Sequence, residues 1–105
     1  MEEELYKAAK ELGFKIYTKE KVISKKYDRG EKSSLIVQVV LPFTEGLYPS
    51  VVELSTFYPV STQEKLKAYI SMMEEAVKEL QALSKHYPTL LDRFYGVKTK
   101  RSEDD

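Results

Sequence analysis

From Ser34 the chain reads SLIVQVVLP to Pro42, and from Val51 it reads VVELSTFYP to Pro59. In the first run Leu35, Val37, Val39 and Leu41 point one way and Ile36, Gln38 and Val40 the other, because successive side chains of an extended chain alternate. In the second, Val52, Leu54, Thr56 and Tyr58 take one side, and Val51, Glu53, Ser55 and Phe57 the opposite one. Each run stops at a proline, which has no N–H to give to a ladder. Apolar residues on both faces of 34–41 mark a central strand, or one whose second face lines a groove or an interface. The loop between them, 43–50, carries Phe43 and Tyr48 beside Gly46 and Pro49, residues suited to a turn.

Working back towards the N-terminus, residues 14–28 are extended, but the apolar phase slips between Ile16 and Ile23. Either two short strands meet at a turn near 18–21, or one strand carries a bulge; two strands are the favoured reading. Asp28-Arg29-Gly30-Glu31 supplies turn chemistry before the next strand. Ahead of these, Leu5, Ala8, Ala9 and Leu12 recur at the helical period. Glu2, Glu3 and Glu4 suit the positive end of that helix, and Gly13 follows where a left-handed cap is wanted.

Beyond Pro59, Ser61-Thr62-Gln63-Glu64 has the form of a capping box with Ser61 as N-cap. The helix it opens should run to about His86, roughly 37 Å at 1.5 Å per residue. Leu66, Tyr69, Met73, Ala76, Leu80, Leu83 and Tyr87 repeat at alternating steps of three and four, a heptad seam that Ile70 and Val77 widen on one flank. Pro88 ends it; 89–95 is expected to form further helical turns capped by Gly96, and 97–105 a charged flexible tail. The expectation is one α+β domain over 1–96, an antiparallel sheet of three or four strands packed against an N-terminal helix and a long C-terminal helix.

Composition narrows the function classes. With no Cys among 105 residues, a disulfide framework, thiolate zinc and thiol catalysis are excluded. The single histidine, His86, excludes a histidine-rich metal site and reads as a solvated residue favoured by a helix C-terminus. The four glycines, at 13, 30, 46 and 96, are too scattered for a phosphate loop. No enzyme activity, cofactor or metal is therefore expected. No apolar run approaches membrane-spanning length and the acidic start is no signal peptide, so a soluble cytoplasmic protein without membrane contact is expected. Abundant Glu and Lys with no Asn, Cys or Trp lean towards a thermophile.

The formal charge is zero, but its distribution is uneven. Residues 13–32 hold seven cations against three acids, whereas 33–61 hold no cation at all. Lysines interleaved with tyrosines on a sheet suit single-stranded nucleic acid, with cations on phosphates and rings stacked on bases for about 1–3 kcal/mol each. On this reading Lys15, Lys19, Lys21 and Lys25 meet phosphates, while Tyr17, Tyr27 and Phe57 stack. The same residues also suit an edge strand that uses Lys against aggregation. Similarly, the long helical stripe can pack on the chain's own sheet, or Met73, Leu80, Leu83 and Tyr87 can form an interface with further copies.

The layout of a leading helix at 2–12, basic-aromatic strands at 14–27, apolar strands at 34–58 and a heptad helix at 61–87 resembles that of the small archaeal ThermoDBP-related proteins. The resemblance is one of arrangement, without a matched motif. It implies single-stranded DNA binding and assembly through C-terminal helical parts. The first expectation is thus a homo-oligomeric, non-catalytic binding protein for single-stranded nucleic acid. The alternative is a homo-oligomeric protein-interaction module, such as a small accessory protein or virus-encoded inhibitor, using the 43–48 loop and apolar strand faces.

Overall fold

The computed structural model describes residues 2–44 and 50–91, together with the backbone of 94–99. Its elements are α1 (Glu2–Glu11), β1 (Lys15–Tyr17), β2 (Val22–Asp28), β3 (Ser34–Val40), β4 (Val51–Thr56), α2 (Gln63–Ser84) and β5 (Phe94–Thr99). The strands form one sheet in the order β1-β2-β3-β4-β5. The first four run antiparallel, and β5 lies parallel to β4. The fold is α+β, as the strand and helix patterns imply.

The phase slip at 14–28 resolves as a hairpin. β1 and β2 pair Ile16 with Ile23 on one face, and Tyr17 with Val22 on the other. The turn between them closes through the Lys21 amide, which donates to the Thr18 carbonyl, with Lys21 at φ 58°. Gly13, at φ 93°, ends α1 in the backbone region that an L side chain resists.

The parallel strand is the main departure from the sequence reading. Residues 94–99 do not continue a helix capped by Gly96, and 97–99 belong to the sheet rather than to a tail; 100–105 lie outside the described residues. Phe, Tyr, Val and Thr in this stretch favour an extended chain, and α2 returns the chain to the free edge of β4 in the direction a crossover helix requires. The ladder steps from Glu53↔Tyr95 to Leu54↔Val97, so Gly96 is the extra residue of a bulge.

One face of the sheet is covered. Ile23 and Tyr27 of β2, Leu35, Val37 and Val39 of β3, and Val52 and Leu54 of β4 are buried there with Leu5 and Ala9 of α1. From α2 and the segment after it come Tyr69, Met72, Ala76, Leu80, Leu83, Tyr87 and Leu90. This corrects the expected oligomer interface. Leu80, Leu83 and Tyr87 are closed off inside a single chain, and Met73 is half-buried against the same core. Each such side chain contributes about 1.5–3 kcal/mol on burial, which the chain's own sheet satisfies without a second copy.

The cap of α2 falls one residue later than the capping-box reading. The Thr62 hydroxyl, not that of Ser61, accepts from the Lys65 amide at 3.1 Å. The helix ends at Ser84, and His86 follows it as an exposed residue.

Candidate binding surface

Strand parity decides which side chains can meet a ligand. On β2, residues 23, 25 and 27 face the helices, so Lys25 and Tyr27 leave the surface on which they were expected. Tyr27 is 3% exposed, and its hydroxyl donates to Glu79 Oε1 at 2.5 Å. Lys25 Nζ donates to the same oxygen at 2.9 Å and to the Leu12 carbonyl at 2.6 Å, one of the acceptors that the end of α1 leaves unfilled. The ammonium also lies over the Tyr27 and Phe14 rings, at 4.6 and 5.6 Å from their centroids. Burial, then the hydrogen bond to Glu79, pushes the Tyr27 phenol above its ordinary value. Burial and neighbouring Glu2 act likewise on Tyr6. These groups clamp α1, β2 and α2 together.

The other cations of 13–32 are dispersed. Lys21 pairs with Glu2 at 2.6 Å and reaches towards the Phe43 ring and carbonyl. Arg29 pairs with Glu75 on α2. Lys19 sits exposed in the turn before β2. Lys15 and Tyr17, through their pairing with Ser24 and Val22, lie on the face opposite the helices. Phe57 lies there too, beneath Lys26 Nζ at 5.4 Å from the ring centroid.

That open face has its own order. Ladder partners Tyr17↔Val22, Val22↔Val40 and Val40↔Val51 make an apolar row running unbroken from β1 to β4. Beside it runs a polar row, Lys15↔Ser24, Ser24↔Gln38 and Gln38↔Glu53. Ile36, between Lys26 and Ser55, continues the apolar surface further along. A shallow depression on the face is lined by Tyr17, Glu20, Val22, Ser24 and Gln38. Among the described side chains of this face, the exposed aromatics stand at opposite corners: Tyr17 is 46% and Phe57 44% exposed. Three strand spacings and three two-residue steps separate them, about 25 Å. Successive bases of a single strand could not stack on both.

Sequence reasoning singled out Lys15, Tyr17 and Phe57 on this face, but not Lys26, Val22, Val40 or Val51 as binding residues. The signal for the valines was present in 34–41, whose second face was apolar. The ladder register supplies the missing alignment across strands. Among the described residues no group of three or more His, Asp or Glu could hold a metal ion. No helix among them is long and apolar enough to cross a membrane. The loop aromatic Phe43 is exposed, whereas Tyr48 lies outside the described residues.

No protein-family model, curated protein or solved structure matches the chain.

Proposed function

We propose that the chain is a non-catalytic protein-interaction module that docks a partner protein on the open face of its sheet. The observation that carries this reading is the apolar row Tyr17–Val22–Val40–Val51 on the side away from both helices. A solvated face of an antiparallel sheet ordinarily alternates polar-out with apolar-in. Here β-branched side chains line up across strands on the outer side as well. Covering such a row gains about 1 kcal/mol for each half-exposed side chain, the scale on which a small central cluster supports an interface. The partner that fits is an amphipathic protein segment with an apolar side laid across the strands.

Single-stranded nucleic acid, the ligand that the ThermoDBP-like layout implied, is the weaker reading. It needs cations and rings along one track. Lys21 and Lys25 are instead held by carboxylates of the same chain, and Tyr27 is buried. Among the described side chains of the open face, Asp28 and Glu53 stand with Lys15 and Lys26, so these together offer no basic field.

Two measurements separate the readings. Fluorescent oligonucleotides titrated at low and high salt are expected to bind no more tightly than to a neutral control protein; salt-sensitive binding lost in Tyr17→Ala would restore the nucleic-acid reading. A photoreactive residue at position 40 is expected to capture a protein from cells expressing the chain. That protein, once purified, should bind the wild type and lose at least tenfold in affinity for Val40→Asp. Equal affinity for both would contradict the proposed surface.

A further inference from the structure

β1 is an end strand of the sheet, and no strand lies beyond it among the described residues. The ladder fixes which backbone groups it leaves over. Facing residues of an antiparallel pair alternately exchange two main-chain bonds and none. The Leu41 amide donates to the Lys21 carbonyl and the Arg29 amide to the Ser33 carbonyl, so the odd-numbered residues of β2 bond to β3. The even-numbered Val22 and Ser24 therefore bond to Tyr17 and Lys15, their partners on β1. Ile16, between those two, turns its N–H and C=O outwards, away from β2.

A depression lies along that edge. It is lined by all three residues of β1, by buried Phe14 and by Lys10 of α1. Ile16 points towards the helices with Ile23, whereas Lys15 and Tyr17 point the other way, so a hollow touching all three borders the outer edge of the strand. Its charge is one-sided. Lys21, Lys25 and Arg29 are paired with Glu2, Glu79 and Glu75, but Lys10 and Lys15 are exposed and have no such carboxylate among the described residues.

We infer that the outer edge of β1 takes an extended acidic peptide segment of a partner protein as an added strand, with an apolar residue beside Ile16 and carboxylates beside Lys10 and Lys15. The backbone selects a peptide: the Ile16 carbonyl needs an N–H, which a phosphodiester cannot give, while an extended chain carries both donor and acceptor. The floor of Phe14 and half-buried Ile16 takes the apolar residue. The lysines select the charge. A second copy of β1 would bring two further ammonium groups to the same hollow, and the repulsion that keeps like edges apart draws an acidic strand in. One residue's pair of main-chain bonds holds little, so the complex is weak, with a dissociation constant on the order of 100 μM, and sensitive to salt. The inference does not rest on the open-face reading, since the edge is available whatever that face takes.

A blocked heptapeptide of alternating glutamate and valine, titrated into the full chain and followed by amide NMR, tests it. Exchange of the Ile16 amide is expected to be fast in the free chain and to slow about fivefold or more at saturation, with that of Ile23 unchanged. Raising salt from about 0.05 to about 0.5 M should weaken binding about tenfold. Lys10→Glu combined with Lys15→Glu should lose this peptide and bind one of alternating lysine and valine instead. Val40→Asp should bind like the wild type, which separates the edge from the open face. No binding at about 1 mM peptide would overturn the inference. So would an Ile16 amide unchanged in the complex, equal binding of the lysine–valine peptide to the wild type, or equal binding of the acidic peptide N-methylated at its valines.

Discussion

Lys25 Nζ and Glu79 Oε1 lie 2.9 Å apart across 54 residues of chain, and Tyr27 donates to the same oxygen. A lysine and a tyrosine that a linear reading assigns to a ligand are thus used to fasten β2 to α2. Removing the shared acceptor should be costly. Glu79→Ala is expected to destabilise the fold by about 2–3 kcal/mol in urea denaturation, because it strands a partly buried ammonium and a buried hydroxyl. Replacing the cluster by apolar groups together (Lys25→Met, Tyr27→Phe, Glu79→Leu) should recover most of that loss. A loss for Glu79→Ala below about 0.5 kcal/mol would show that the cluster is solvated.

The same cluster sets an alkaline limit. The Tyr27 phenol is raised by burial and by Glu79, so the folded state keeps its proton at a pH where the unfolded chain releases it. The stability this provides is complete below the ordinary tyrosine value near 10 and falls as pH climbs above it. The expected slope is up to about 1.4 kcal/mol per pH unit from this one group. Urea midpoints measured from pH 8 to 11.5 should fall less steeply for Tyr27→Phe than for the wild type. Parallel curves would contradict the assignment.

How α2 begins can be read from two neighbouring hydroxyls. Thr62→Ala should cost about 1 kcal/mol, since it removes the acceptor for the Lys65 amide, while Ser61→Ala should stay within a few tenths. Thermal melts of the two variants check this, and the reverse order would return the cap to Ser61.

Adjacent valines on β3 make the parity of the sheet testable. Val39→Asp buries a charge and should unfold the chain, whereas Val40→Asp, on the open face, should change stability by less than about 1 kcal/mol. Circular dichroism at 25 °C distinguishes the two. Equal damage from both would mean that the outer face is covered within the chain.

These residues also show how far the sequence could be read. SLIVQVVL and VVELSTFY alternate so strongly that strand, face and central position follow from spacing alone. VISKKYD does not: Val22, Ser24, Lys26 and Asp28 are nearly as good a buried set as Ile23, Lys25 and Tyr27 until Glu79, far along the chain, selects one. The heptad of α2 was legible, but a seam of that period suits a chain's own sheet as well as a partner helix. Only the core shows that Leu80, Leu83 and Tyr87 are taken while Leu66, Ile70 and Val77 are left. For β5 the local signal was weak and the deciding factor was the unpaired edge of β4, a tertiary demand that no local window contains.

The open face can be tested most directly by calorimetric titration of the purified partner captured at position 40 into wild type and Val40→Asp, alongside Glu74→Lys as a variant on the far side of the molecule. The docking account expects tight binding to the wild type and to Glu74→Lys, with at least a tenfold loss for Val40→Asp. Equal affinity for all three proteins, or heat of binding only when nucleic acid is present, would contradict it.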